Sequence, residues 1–365
     1  LIVKKPYIPQ SLPLESLDWV RFITLVGQAN AELARYDGIL QGIVNPGVLL
    51  SPLSTKEAVI SSKIEGTQAS LEEVLQYEAS PDPKSEKYDD IQEIINYRQA
   101  MNFADKWLEK KPITLNLIKQ MHAMLLDSVR GKDKDRGNFR TKQNYIGKHG
   151  TSIEKARYIP PPPLILPDHL SNFENYFHYT EKDRLIQLAI LHAQFEIIHP
   201  FLDGNGRIGR ILIPLFLYEK KVLHSPMFYI SEYLEENRDE YYDRLLAISE
   251  EKKWEDWIEF FLKAIADQAK RNSQKAKAVL SLYDKNKEHI VNITHSQYAI
   301  KILDTIFSRP ILNTTDFIRL SKIPKPSAMR LLTLLRKERI LSTLKAGSGR
   351  RAEVMMFDKL INIIG

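Results

Sequence analysis

The chain reads as mainly α-helical, with one small β-hairpin on a helical core and a second, β-containing module at its C-terminal end. Three observations predict this. Apolar residues recur at three- and four-residue spacing through most of the first 290 positions. One stretch, 140–163, is instead β-prone and broken by glycine and proline. From residue 290 onward the pattern changes to short amphipathic helices followed by a glycine-interrupted strand pair. With 365 residues and 43% apolar content the chain can fill more than one core, and two or three domains are expected. The absence of cysteine excludes disulfides and thiolate metal sites. No window has the apolar length of a membrane span and no signal-like segment is read at the start, so a soluble, cytoplasmic protein is expected. The opening Leu1 raises the expectation that preceding residues are missing.

In chain order, residues 1–85 read as an N-terminal helical region, with Leu12, Leu14, Leu17, Val20, Ile23, Leu25 and Val26 supplying apolar positions. Within it, 55–65 looks helical and Gly66 is a plausible terminating residue. Ser61 and Glu65 then share a face. Glu65 sits at the negative end of that helix, unfavourable by a few tenths of a kcal/mol unless a cation answers it. Pro81 and Pro83 mark a linker into a core spanning 86–270. The stretch from Arg140 to Gly147, followed by Ala156 to Pro160 and three more prolines, reads as a hairpin or loop on that helical body. Leu185, Leu188, Ala189, His192, Phe195 and Ile198 recur at helical spacing, so 183–198 reads as a largely buried helix. It must stop near His199, because Pro200 pushes the preceding residue out of the right-handed region. Gly204-Asn205-Gly206 permits a tight turn, and a second helix starts near Arg207 and runs through Ile211, Leu212, Leu215 and Phe216. A long polar stretch, 264–287, is helix-like, and 271–289 reads as a connector to a final domain at 290–365.

The run from His199 to Arg210 carries the chemistry. It places a base at a helix-to-loop junction and amide groups at a helix start, where the dipole favours phosphate oxygens. Arg207 and Arg210 project from one side of the first turn, as bidentate clamps on terminal phosphates would. Asp203 is a hard oxygen ligand suited to Mg²⁺, which binds one or two carboxylates together with substrate phosphates. An imidazole with an ordinary pKa of about 6.5 suits a general base. A rival reading places a metal on His192, Glu196 and His199, which share a helical face. The order is not H-E-x-x-H, however, Pro200 distorts the third position, and His192 is expected in the core.

Over these residues the chain resembles the Fic family, whose signature H-x-F-x-[DE]-G-N-G-R-x-x-R is matched at every specified position. The resemblance implies a Fic helical core and transfer of AMP from ATP to a Ser, Thr or Tyr hydroxyl of a target protein. In that reading His199 deprotonates the attacking hydroxyl and Asp203 holds Mg²⁺. Asn205 and the amides of Gly204, Gly206, Ile208 and Gly209 would line the phosphates, with Arg207 and Arg210 on the β and γ phosphates. Ser61-x-x-x-Glu65-Gly66 resembles the family's inhibitory motif, in which the glutamate pairs with the second signature arginine, here Arg210, and blocks productive placement of the γ phosphate. The stretch around Ile146 and Gly147 resembles the flap that registers the target chain by strand addition. Tyr241 and Tyr242 look like the family's adenine-side aromatics.

The net charge is informative once divided. Residues 290–365 hold 13 Lys+Arg against 5 Asp+Glu, a net +8, so the remainder contributes −2 to the chain's +6. Within this tail, 314–320 and 327–338 read as two helices joined by a turn containing Pro324 and Pro326. Residues 340–357 read as a hairpin with a basic tip. Helix-turn-helix plus wing is a winged-helix pattern. Lys325, Ser327, Arg330, Lys337, Arg350 and Arg351 could meet DNA phosphates, but the same fold serves protein docking, and both partners stay open. The alternative function is accordingly a DNA-binding regulator that uses the Fic body as a nucleotide sensor or for removal of AMP. A homodimer is equally left open.

Overall fold

The computed structural model describes residues 5–127, 134–147, 150, 152–347 and 352–365. Among these the helices are α1 (Ile23–Gln41), α2 (Pro46–Leu49), α3 (Ser51–Ile64), α4 (Leu71–Ala79), α5 (Tyr88–Leu108), α6 (Leu115–Leu125), α7 (Leu166–His178), α8 (Arg184–Ile198), α9 (Asn205–Glu219), α10 (Ser231–Glu236), α11 (Arg238–Glu251), α12 (Trp254–Thr294), α13 (Ala299–Ser308), α14 (Thr314–Ser321), α15 (Lys325–Lys337) and α16 (Asp358–Ile364). Three strands, β1 (Ile311–Asn313), β2 (Ser342–Lys345) and β3 (Val354–Met356), complete a mainly helical fold with a small antiparallel sheet. No described helix is long and apolar enough to cross a membrane. The chain divides into two compact units, one of residues 1–35 and 96–270, the other of 36–95 and 271–365.

The first unit is organised around α8. All its residues from Leu185 to Ile198 except Glu196 are buried, which is why the segment has no polar face. It begins where Asp183 accepts hydrogen bonds from the Leu185 and Ile186 amides at 2.8 and 3.0 Å. Helices α7, α9 and α11 pack on it, and Trp257 donates from its indole nitrogen to the Ala189 carbonyl at 2.8 Å. The expected helical periodicity of Leu12, Leu14 and Leu17 does not materialise. Pro6, Pro9 and Pro13 keep residues 5–17 out of regular helix, and this arm is laid along the core instead. Leu12 exchanges backbone hydrogen bonds with the Asn172 amide, Gln194 donates to the Gln10 carbonyl, and the Tyr7 amide donates to the Ile159 carbonyl. Helix begins in earnest only at Ile23.

In the second unit the helix order expected at the C-terminus is present, joined by a strand not foreseen. The sheet order is β1-β3-β2, with Ile311 opposite Met356 and Ser342 also opposite Met356 on the other side. A three-residue strand is too short for its periodicity to be read. Pro326 lies inside the first turn of α15, where a missing N–H costs nothing, so the helix starts earlier than expected. Arg350 and Arg351 lie outside the described residues. Residues 36–95 pack with this C-terminal module in one compact unit. Helix α13 packs on α2 and α3, α16 on α3, and α4 on β1. Asn313 donates to the Ala79 carbonyl at 2.6 Å, and Arg309 pairs with Glu78 at 3.2 Å. Ser70 and Glu73 form a reciprocal capping box that starts α4.

Candidate functional site

His199 ends α8 in the left-handed conformation, φ 48° and ψ 60°, the outcome of Pro200 barring a further helical turn. Its Nδ1 lies 3.2 Å from the Glu196 carbonyl oxygen. A carbonyl only accepts, so the proton sits on Nδ1 and Nε2 is the basic nitrogen. The strained backbone is held from outside by Arg140, whose backbone N–H reaches the Pro200 carbonyl at 2.9 Å. Its guanidinium donates to the His199, Pro161 and Ile198 carbonyls at 2.9, 2.6 and 3.3 Å. Arg140 is 2% exposed, and burial lowers its pKa to about 10, leaving it cationic at neutral pH.

The loop after His199 closes on itself. The side-chain amide of Asn205 accepts from the Phe201 N–H at 2.8 Å and donates to the Phe201 carbonyl at 2.9 Å. In this structure Asn205 therefore ties the turn with both ends of its side chain. Gly204 takes φ +78° and stands at the N-cap of α9 with no side-chain cap hydrogen bond, the kind of helix start whose amides favour an anion. From α6, His122 donates through Nε2 to the Asp203 carbonyl at 3.0 Å while its Nδ1 accepts from the Gly137 N–H at 2.8 Å. Its ring stacks on Phe201 with centroids 3.7 Å apart. Burial, reinforced by the charge of Arg207, lowers its pKa to about 4, so it is a neutral brace.

Arg207 and Arg210 are 4% and 1% exposed, two guanidinium groups buried in the first turns of α9. Arg207 lies 3.3 Å from Asp203, whose side chain is 44% exposed. The Asp203 Oδ1 also accepts from the Gly204 N–H at 2.6 Å. Gly209 has a packing role: a Cβ there would lie 2.4 Å from Glu196 Oε1 and 3.4 Å from His192, so glycine lets α8 and α9 touch. His192 is fully occupied by the core, with Nδ1 toward the Gly209 carbonyl at 3.3 Å and Nε2 toward the Tyr241 hydroxyl at 2.9 Å. Burial, helped by the nearby Arg210 charge, lowers its pKa to about 3. Among the described residues no group of three or more His, Asp or Glu side chains is disposed to hold a metal, and the triad reading of His192, Glu196 and His199 falls with the engagement of His192.

Tyr241 is 1% exposed and packs on Trp257, so it is a core residue rather than an adenine-facing ring; Tyr242 beside it is half-buried. Of the hairpin expected around Ile146, the described residues show one antiparallel bridge, to Tyr158, with N–H to O distances of 2.8 and 3.1 Å. Asn144 anchors it to the loop by donating to the Phe201 carbonyl at 2.9 Å. Ile146 is 37% exposed and Gly147 follows in a bend. In the second unit, Ser61 is fully buried, Glu65 occupies the C-cap of α3, and Gly66 takes φ +104°. Sequence reasoning did not identify Arg140 and His122 as supports of the site. In sequence, Arg140 is simply the first residue of the flap-like stretch. His122 interrupts the apolar face of Leu117, Ile118, Met121 and Leu125, the one local signal that could have singled it out.

Comparison with known proteins places this geometry. Residues 23–106 match the Fic/DOC family N-terminal model, and residues 112–217 match the Fic/DOC family model. The chain is 31% identical over 233 residues to a protein adenylyltransferase Fic of Culex quinquefasciatus, covering 59% of this chain and 41% of that protein. It is 39% identical over 70 residues to a probable protein adenylyltransferase of Aquifex aeolicus, covering 19% and 22%. The chain thus spans well under half the length of these curated relatives. A Fic family protein of Desulfovibrio desulfuricans shares the fold with TM-score 0.59 at 18% identity, covering 97% of this chain and 98% of that one. Fic-1 of C. elegans does so with TM-score 0.52 at 19% identity, covering 71% and 72%. With both family models matched in sequence and together covering more than half of its residues, the chain belongs to the Fic/DOC family.

Proposed function

We propose that the protein transfers AMP from ATP to a hydroxyl of a target protein. The observation that carries this reading is the His199 tautomer: Nδ1 is committed to the Glu196 carbonyl, which leaves Nε2 as the basic nitrogen of a histidine in the loop that leads into α9. In the reaction, His199 Nε2 accepts the proton of the target hydroxyl and the hydroxyl oxygen bonds to the α phosphorus. The bond from that phosphorus to the bridging oxygen breaks, and pyrophosphate leaves. Arg207 and Arg210 neutralise the departing charge, and the α9 amides orient the phosphates. Asp203 fits Mg²⁺, since its carboxylate is part-exposed beside the helix terminus and Mg²⁺ takes its other ligands from phosphates and water. When bound, the ion would supply charge neutralisation on the phosphates. The exposed edge at Ile146 and Gly147 supports a flap that reads the target by main-chain hydrogen bonds.

We further infer that the enzyme is self-inhibited through Glu65 acting on Arg210. The Ser61-x-x-x-Glu65-Gly66 motif supports this, as does the placement of Glu65 at a helix C-terminus, where a carboxylate gains from a cationic partner. With ATP labelled on the α phosphate, Glu65→Gly is expected to raise self-labelling at least tenfold and His199→Ala to abolish it. Equal labelling of wild type and Glu65→Gly overturns the inhibition. Labelling from the γ but not the α position overturns AMP transfer itself.

A further inference from the structure

The C-terminal module presents a basic helix face that the AMP-transfer reading does not use. Helix α15 buries Ala328, Leu331, Leu332 and Leu335 against its own domain. The opposite face exposes Lys325, Met329, Arg330, Thr333 and Lys337. Lys322, in the left-handed turn between α14 and α15 at φ 53°, is exposed on the approach to it. Among the described residues none of Lys322, Lys325, Arg330 and Lys337 has a carboxylate within ion-pair distance. Glu338 follows Lys337, exposed at the C-cap of α15, and Glu353 accepts from Arg336 at 2.7 Å through both oxygens and from Thr343 at 2.7 Å, tying α15 to the sheet. The arrangement thus segregates charge, pairing the cation on the seam and leaving those on the outer face for a polyanion.

An occupant of protein character is disfavoured by composition. Interface cores are depleted in charge and rich in aromatic residues, whereas Met329 is the one large apolar side chain exposed on α15 among the described residues. From Lys325 to Lys337 the helix runs about 18 Å at 1.5 Å per residue, enough to lie in a major groove roughly 12 Å wide. We propose that this face binds duplex DNA, with α15 entering the major groove, Arg330 toward base edges, and Lys322, Lys325 and Lys337 on flanking phosphates.

The test is fluorescence anisotropy of the full chain with a labelled 20-base-pair duplex of mixed sequence between 50 and 200 mM salt. Binding is expected, with log affinity falling linearly in log salt by about 0.9 for each phosphate neutralised. The combined change Lys322→Glu, Lys325→Glu and Arg330→Glu should weaken it more than tenfold. Reversing Lys285, Lys287 and Lys359, exposed cations elsewhere in the same unit, should change it less than threefold. Should the triple variant lose its cooperative thermal transition, Arg330→Ala alone decides, and is expected to reduce the salt slope by about one. Absence of duplex binding at 50 mM salt overturns the proposal, as does equal weakening by both charge reversals. Displacement of the duplex by poly-glutamate at equal charge concentration assigns the face to an acidic protein instead and also overturns it.

Discussion

Arg140 has no ion-pair partner among the described residues, yet it is almost wholly buried beside the candidate base. Its donors satisfy carbonyls that the broken end of α8 leaves open, which explains how a non-glycine residue holds a left-handed backbone at His199. Arg140→Met should lower unfolding free energy by about 3 kcal/mol in urea, because each orphaned buried carbonyl costs roughly 1 kcal/mol or more. Arg140→Lys should recover little, since an ammonium cannot reach the same fork of acceptors. A lysine variant as stable as wild type would refute the stapling role. The two neutral histidines set a second residue-scale expectation. His122 and His192 hold folded pKa values of about 4 and 3 against an unfolded value of about 6.5, so between these limits the unfolded chain binds more protons. Their contribution is complete above the unfolded value and is lost as pH falls toward the folded ones. Lowering the pH from 7 to 5 should therefore cost on the order of 1–2 kcal/mol for each. His122→Gln should flatten the dependence of Tm on pH over this interval, and an unchanged slope would exclude His122 as its source. Asn205, Gly204 and Asp203 stand out as a candidate site from their order alone. That Asn205 closes its own loop and that Tyr241 serves the core is not legible there, because those partners are fixed by where rings and carbonyls meet in space.

At the scale of elements, α8 and α9 were legible to within a residue or two because both leave local marks. Asp183 caps one, the Gly204 turn starts the other, and apolar positions recur at helical spacing. Asp183→Ala should cost about 1 kcal/mol of stability, the ordinary value of a cap. Gly209→Ala should cost more, because an added Cβ 2.4 Å from Glu196 Oε1 must displace that carboxylate and also presses on Phe195 at 3.3 Å and His192 at 3.4 Å, whereas the lost cap only frays one end. Parallel urea melts rank the two, and the reverse order would refute the close approach as the reason for glycine there. The residues that misled were those whose environment outweighs periodicity. Leu12, Leu14 and Leu17 supply apolar positions for a helix, but Pro6, Pro9 and Pro13 keep the arm out of regular structure. β1 is three residues long and exists through its pairing with β3.

Across the molecule, the helix bearing Ser61 and Glu65 belongs to the same compact unit as the C-terminal module. Helices α13 and α16 pack on α3, while Arg309 and Asn313 grip the end of α4. Coupled to the inhibition proposed above, this packing predicts that Arg309→Ala with Asn313→Ala loosens the inhibitory segment and raises self-labelling severalfold. The increase should approach that of Glu65→Gly, and unchanged labelling in a folded double variant would separate the module from the regulation. The sequence by itself determined the helical class, the signature from His199 to Arg210, the α3 stop at Gly66 and the basic excess of the tail. Each of these rests on residues within a few positions of one another, where spacing and turn chemistry act directly. Only the tertiary structure decided that Arg140 and His122 brace the site, that Tyr241 is core, and that residues 36–95 join the C-terminal module. Those outcomes depend on which distant surfaces bury each other, and that is a property of packing rather than of any local pattern.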